Sequence, residues 1–432
     1  MRLLWAIVLS AWAIAVHAQS TPRALTLADA LAAAEQANPA LLAARAALAA
    51  AEGESRDAAA LFYRNPALNL ERTRRKAMDA DGIGTRFRES ALGLAQPFEI
   101  AGQPGHRREA ARRSLAAVRA EIQDTQVRVR AEVEAAFARV LLLQRRLVSE
   151  ERNMQLAEQA AAAVGKRVDA GEDSRLDGNL ARVEAERARN QVSTVREQLI
   201  EARARLAALV QLVPSQLPEA VGELPERIPG YRLEDLLLRA AERPELLALS
   251  EREAAAESRL KLERASVFPD VTVGLTTARE GPPEMRERVT MLSVTLPLPL
   301  FNRNRAGIGR ARTERDLAQI ERRTAVRNGE AAIRELWQRL VSLEARLGRL
   351  ASAVLPKLDE NFNLSTKAYR AGEIGILQLV LVNRQALDAR RDFLEALGEF
   401  TQARIALEQA AGVHGLEPPA AGPSSNFPVS KP

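Results

Sequence analysis

Two stretches about two hundred residues apart share a pattern that few folds can satisfy. Residues 369–410 set a glycine-marked break, Ala371-Gly372-Glu373, before apolar or small residues in strict heptads: Leu379, Val382, Ala386, Ala389, Phe393, Ala396, Phe400, Ala403, Leu407 and Ala410. A seam of this period has to lie against a neighbouring helix along its whole length. Residues 168–209 repeat both features, with Ala170-Gly171-Glu172 as the break and Gly178, Ala181, Ala185, Ala188, Val192, Val195, Leu199, Ala202, Leu206 and Leu209 as the heptads. An alanine-rich composition does not fix the phase between a glycine and a heptad, so the agreement reads as a tandem duplication.

Composition favours extended helices over a large globule. Hydrophobic residues make up 47% of the 432 positions, but aromatic residues only 4%, and big globular cores use more rings. The 56 acidic residues are interleaved with 62 basic ones, so the net charge of +6 marks no nucleic-acid surface. Pairs such as Glu201 with Arg205 and Arg391 with Glu395 have the spacing of a solvated helix face. The absence of cysteine excludes disulfides, thiolate metal sites and a lipid anchor on cysteine. Arg2, the apolar run from Leu3 to Val16 and the Val16-His17-Ala18 site read as a signal peptide over 1–18, hence export. No later stretch approaches the roughly 20 apolar residues of a helical span.

Taken in order, the chain predicts the same elements twice. Short helices precede Asn38-Pro39 and begin at Pro39, with Leu31, Pro39, Leu41 and Leu42 answered by Leu236, Pro244, Leu246 and Leu247. After Asn65-Pro66, and again after Phe268-Pro269, the period turns alternating, which predicts one β-hairpin over 67–97 and another over 270–298. Leu68, Leu70, Leu92, Leu94, Val271, Val273, Leu292 and Val294 form the apolar faces. Asn69, Glu71, Glu89, Gly93, Thr272, Gly274, Ser293 and Thr295 form the small or polar ones. The charged segments 73–86 and 279–288 read as connecting loops. Such strands suit a membrane barrel and equally a pair of hairpins packed on a soluble core; as a barrel, four cannot close one, so several chains would have to combine.

Proline is missing from Gly105 to Val213, which predicts two long helices with a tip near 171. The first, from about 103 to 169, spans about 100 Å at 1.5 Å per residue. The second half repeats this with a tip near 372, except that Pro356 predicts a kink with no counterpart in the first. The expected organisation is a first repeat over 19–213, a proline-rich connector over 214–231, a second repeat over 232–412 and a low-complexity tail over 413–432.

As a set, the duplicated hairpin and long-helix plan, the Asn38-Pro39-Ala-Leu41 segment and the Tyr369-Arg-Ala-Gly372 tip resemble the TolC-type outer-membrane efflux proteins. QPFEIAG at 96–102, the basic run His106 to Arg108 and LPLPLFNRNRAG at 296–307 resemble the heavy-metal, CzcC-like branch of that family. The resemblance implies a mostly α fold with a small β part. Long helical hairpins would form an α-barrel through the periplasm, and four strands per chain would contribute to a transmembrane β-barrel of a homotrimer in the outer membrane. It also implies a passive exit duct fed by an inner-membrane efflux pump through a periplasmic adaptor. The adaptor-docking tips then fall on Gly171, Glu172, Asp177, Gly372 and Glu373. Gln378 stands where the second copy would match Asp177, which departs from an acidic ring at the entrance.

No chemistry competes with this reading. The mature chain holds only His106 and His414, no nucleophilic cysteine and no phosphate-binding glycine loop, so no catalytic, cofactor or metal site is expected. Drug export or type I secretion through the same fold is the alternative cargo. A periplasmic coiled-coil adaptor is the rival of a different class, distinguished by a compact β-domain and no lipid-facing strands.

Overall fold

A computed structural model describes residues 24–78, 84–212 and 217–413. The signal peptide, the start of the connector and the tail from His414 onward lie outside the described residues.

The first half begins with strand β1 (Ala24–Leu25) and helix α1 (Leu27–Ala37). The Thr26 hydroxyl donates to the Asp29 carboxylate at 2.7 Å and accepts the Asp29 N–H at 3.2 Å, a reciprocal cap. Asn38 then ends α1 and opens α2 (Pro39–Ala59). Its side-chain Oδ1 accepts the Ala40 N–H and its side-chain Nδ2 donates to the Leu209 carbonyl at 3.0 Å. The Asn-Pro pair thus caps one helix N-terminus and a second helix's C-terminus together.

Strands β2 (Ala67–Met78) and β3 (Gly84–Phe98) follow, then α3 (Gln103–Asp169) and α4 (Arg175–Val210). The second half runs β4 (Glu219–Ala220), α5 (Leu233–Ala240), α6 (Pro244–Ala265), β5 (Val271–Glu280), β6 (Glu287–Thr295), α7 (Arg305–Arg349), α8 (Leu355–Arg370) and α9 (Ile376–Ala410). The parallel pair β1 with β4, too short to carry a period, was not foreseen.

Three differences from the sequence reading have physical causes. First, the charged segment 73–86 is largely strand, because β2 and β3 stay in register up to Met78 opposite Gly84. A ladder of backbone hydrogen bonds does not require apolar side chains, only a face that meets something polar. Second, the helix that the pattern after Pro39 predicts to run to about Tyr63 stops at Ala59, and Phe62 meets Phe98 edge-on at 5.6 Å. Third, Arg391 does not pair with Glu395: its partners are Glu150 on α3 and Asp388.

The helix is irregular where the kink is expected. Residues Leu350–Val354 form a π turn, with the Leu355 N–H bonded to the Leu350 carbonyl, just before Pro356. Proline's ring would clash with the Ser352 carbonyl four residues back, and the wider turn moves that carbonyl aside.

The described residues divide into two compact units. One holds the tips and the long-helix cores. There Val133, Phe137 and Val140 of α3 pack on Val195, Leu199 and Leu206 of α4, and Leu340 and Leu347 pack on Leu397, Phe400 and Leu407 of α9. The heptad positions of α4 are buried as expected, except half-buried Leu209. The other unit holds the sheet, in order β2-β3-β5-β6, all antiparallel, and an alanine-lined helical part stitched by pairs such as Arg113 with Glu251. Among the described residues no helix is long and apolar enough to cross a membrane.

Candidate functional site: the helical tips and the sheet face

Both tips use one backbone device. Gly171 and Gly372 have φ of +78° and +76°, and nothing lies near the Cβ either would carry, so conformation and not crowding selects glycine. The next residue's N–H reaches back five positions, Glu172 to the Arg167 carbonyl at 2.8 Å and Glu373 to the Ala368 carbonyl at 2.9 Å. This closes the end of α3 and of α8 with a Schellman motif.

The return helices start differently. Ser174 donates to the Asp177 carboxylate at 2.6 Å and accepts the Asp177 N–H at 3.2 Å. Asp177 is therefore a capping carboxylate at the positive end of α4. At α9 the cap is Gly375, with no side-chain bond, and Gln378 needs no such partner. Arg167 lies 3.1 Å from Asp173 at the first tip, whereas Ile374 replaces that acid at the second. Glu172 and Glu373 remain exposed.

The two tips pack together through Val164, Ala181 and Ile376, with Val168, Tyr369 and Leu379 around them. Next to this cluster lies a groove of about 480 Å³ flanked by Leu156, Phe362, Tyr369 and Leu387. It is bridged by Asn383 donating to Asn153 at 2.9 Å. Arg391 also clasps Glu150, which is 1% exposed, and that hydrogen bond raises the arginine's pKa. Burial alone would lower the pKa of Arg404, but the charges of Glu134 and Glu408 outweigh it and leave it raised. Apart from Arg404 with Glu408 at helical i,i+4 spacing, no periodic signal links these partners, so sequence reasoning missed them.

On the sheet the register brings all eight expected residues to one face. Leu68 lies opposite Leu94, Leu94 opposite Leu275 and Leu275 opposite Leu292; Leu70 lies opposite Leu92, and Val273 opposite Val294. Val271 joins them beside Phe98. Leu70 is 74% and Leu292 71% exposed, so no other described residue covers the leucines of this face. The reverse face carries Asn69, Gly93, Thr276 and Ser293.

The family-like motifs at the sheet's helical end are joints. Gln96 donates to the Arg64 carbonyl at 2.9 Å, and Glu99 accepts two hydrogen bonds from Arg107, whose guanidinium sits 3.6 Å over the Tyr63 ring. Gln103, 2% exposed, accepts the Ala101 N–H and donates to the Phe268 carbonyl. Asn304, at φ +51°, donates to the Glu263 carbonyl at 2.9 Å. These polar groups are committed to the strand-to-helix turns. Among the described residues no cluster of three His, Cys, Asp or Glu is placed to hold a metal.

Comparison with known proteins agrees with this geometry. The profile of the family described as "Outer membrane efflux protein" matches residues 30–210 and 238–413. The cobalt-zinc-cadmium resistance protein CzcC of Cupriavidus metallidurans is 30% identical over 330 residues, covering 75% of this chain and 77% of that one. The nickel and cobalt resistance protein CnrC of the same organism is 29% identical over 276 residues, 62% of this chain and 63% of that one. A membrane protein of Pseudomonas aeruginosa superposes with a TM-score of 0.77 at 20% identity, covering 89% of this chain and 92% of its own.

Proposed function

The chain belongs to the outer membrane efflux protein family, outer-membrane channels whose helices extend into the periplasm, and from that premise we propose how it works and what it carries. Three copies combine their sheets into a twelve-stranded barrel and their helical hairpins into a duct. Each repeat, 19–213 and 232–412, supplies one strand hairpin and one helical hairpin to it. An inner-membrane pump loads the duct through a periplasmic adaptor that docks at Gly171, Glu172, Asp177, Gly372 and Glu373. The cargo is transition-metal cations of the cobalt, zinc and cadmium kind.

One observation carries the duct reading: four strands in register expose a continuous face of Leu68, Leu70, Leu92, Leu94, Leu275 and Leu292, while the edges of β2 and β6 stay open. Lipid suits the face, and only further strands suit the edges. A periplasmic adaptor would need a compact β-domain, which this sheet does not resemble. The cargo rests on similarity to CzcC and CnrC. Among the described residues no cluster of three His, Cys, Asp or Glu is placed to grip a metal ion, which supports a reading in which selection falls to the pump and the duct releases what it receives.

Planar-bilayer conductance of the purified protein tests the duct. A protein that extracts into buffer without detergent and forms no pore would end this reading. For cargo, a deletion strain should become sensitive to cobalt, zinc or cadmium more than to dyes and detergents. The opposite ranking would move the protein to drug export.

A further inference from the structure

The outward face changes character along the strands. From the helix-joined end it runs through Phe98 and Val271, then Val273 and Val294, then leucines from all four strands. Beyond Leu70 and Leu92, toward the hairpin loops, it carries only Arg72, Arg74, Lys76, Arg86, Arg88, Arg279 and Arg288 as charged residues. Among the described residues none of these seven cations forms an ion pair, and all are exposed. Three like-charge pairs sit directly opposite each other: Arg74 with Arg88, Lys76 with Arg86, and Arg279 with Arg288. Directly opposed residues have Cβ atoms about 5 Å apart, where like charges destabilise a sheet.

Water alone does not explain this. The reverse face over the same rows carries Glu71, Glu89, Glu280 and Glu287 with a single cation, Arg75, which pairs with Glu89 at 3.1 Å. Two merely solvated faces would have no reason to sort their charges by side. Asp79 and Asp81 lie outside the described residues and are too few to neutralise seven cations.

We propose that this belt of cations binds the phosphate groups of phosphorylated glycolipid in the external leaflet of the outer membrane. The inference rests on the reading that the leucine face meets lipid. The belt continues that face at the end away from the periplasmic helices, where the headgroups lie. Arginine offers planar, paired donors that match phosphate, and a phosphate between Arg74 and Arg88 turns their repulsion into a shared contact.

The test uses the full-length oligomer purified in a neutral detergent, with its thermal unfolding followed as lipid is added. Lipid A with both phosphates should raise the midpoint, whereas dephosphorylated lipid A, or inorganic phosphate at equal concentration, should not. Arg74→Gln with Arg88→Gln should weaken the apparent affinity at least about tenfold. Arg279→Gln with Arg288→Gln provides the same reading on β5 and β6 should the first pair assemble poorly. Glu71→Gln, on the reverse face, should respond like the wild type. Unchanged affinity in both arginine pairs, or an equal response to inorganic phosphate, would overturn the proposal while a conducting wild-type pore keeps the duct reading. A wild type that forms no pore would remove both.

Discussion

Arg391 holds Glu150 with two hydrogen bonds, of 2.7 and 2.8 Å, across 241 positions of sequence. The carboxylate is almost fully buried, and among the described residues its other cation in ion-pair geometry is Arg146, 3.9 Å away. Removing one partner of such a pair leaves an uncompensated buried charge, a loss of about 3–5 kcal/mol. Arg391→Ala should therefore lower the unfolding midpoint of the purified oligomer strongly. Arg391→Met combined with Glu150→Leu should recover most of the loss. A single variant as stable as the wild type would show that the contact contributes nothing.

The sheet face gives a second expectation. Leu94→Arg or Val294→Arg should cost about 2–4 kcal/mol if the residue lies at the bilayer midplane, seen as reduced assembled protein in outer membranes. Ser293→Asp, on the reverse face, should change single-channel conductance with assembly intact. Gly93 is a poor probe for that purpose, since a Cβ there would come within 2.8 Å of the Thr276 hydroxyl. The opposite pattern would mean the faces are inverted.

At the tips, Gly171→Val and Gly372→Val force a β-branched residue into left-handed geometry, at roughly 1–2 kcal/mol each. Oligomers should still form, while cross-linking to the adaptor and export should fall. Asn tolerates this geometry, so Gly372→Asn should keep most function. Normal cross-linking and export in both valine variants would count against docking at the tips.

Metal resistance should not depend on the chain's imidazoles. His106→Ala with His414→Ala should leave the cobalt, zinc and cadmium tolerance of a complemented strain unchanged. A large loss at normal protein levels would mean that the duct itself recognises the ion.

Much of this was legible in the sequence because it rests on period. The heptads from Gly178 to Leu206 are buried, and the strands alternate as Leu92 and Leu94 suggested. The glycine breaks and Pro356 fall where the backbone needs them. What escaped lacks a period. The charged ends of β2 and β3 look like loop, since polar strands and polar loops share a composition. Asp177 looks like an entrance acid, but its spacing from Ser174 also makes a cap. Glu150, Glu134 and Arg404 find partners on other helices, and their immediate neighbours in sequence carry no trace of it. QPFEIAG was readable as a family signature, yet its role as a strand-to-helix joint needed coordinates for Gln96, Glu99 and Gln103.

If copies close into a barrel as proposed, the edges of β2 and β6, unpaired among the described residues, set the kinetics of assembly. In hydrocarbon an unpaired N–H or C=O costs several kcal/mol, and each edge presents a row of them. A lone chain's sheet therefore has no comfortable resting place in the bilayer. On the proposed reading, closing the final edge is an encounter between chains, so its rate should scale with their local concentration and the barrel should be stable only as a complete ring. One copy that cannot offer its edge spoils the whole ring, so edge defects should act dominantly when mixed with intact chains.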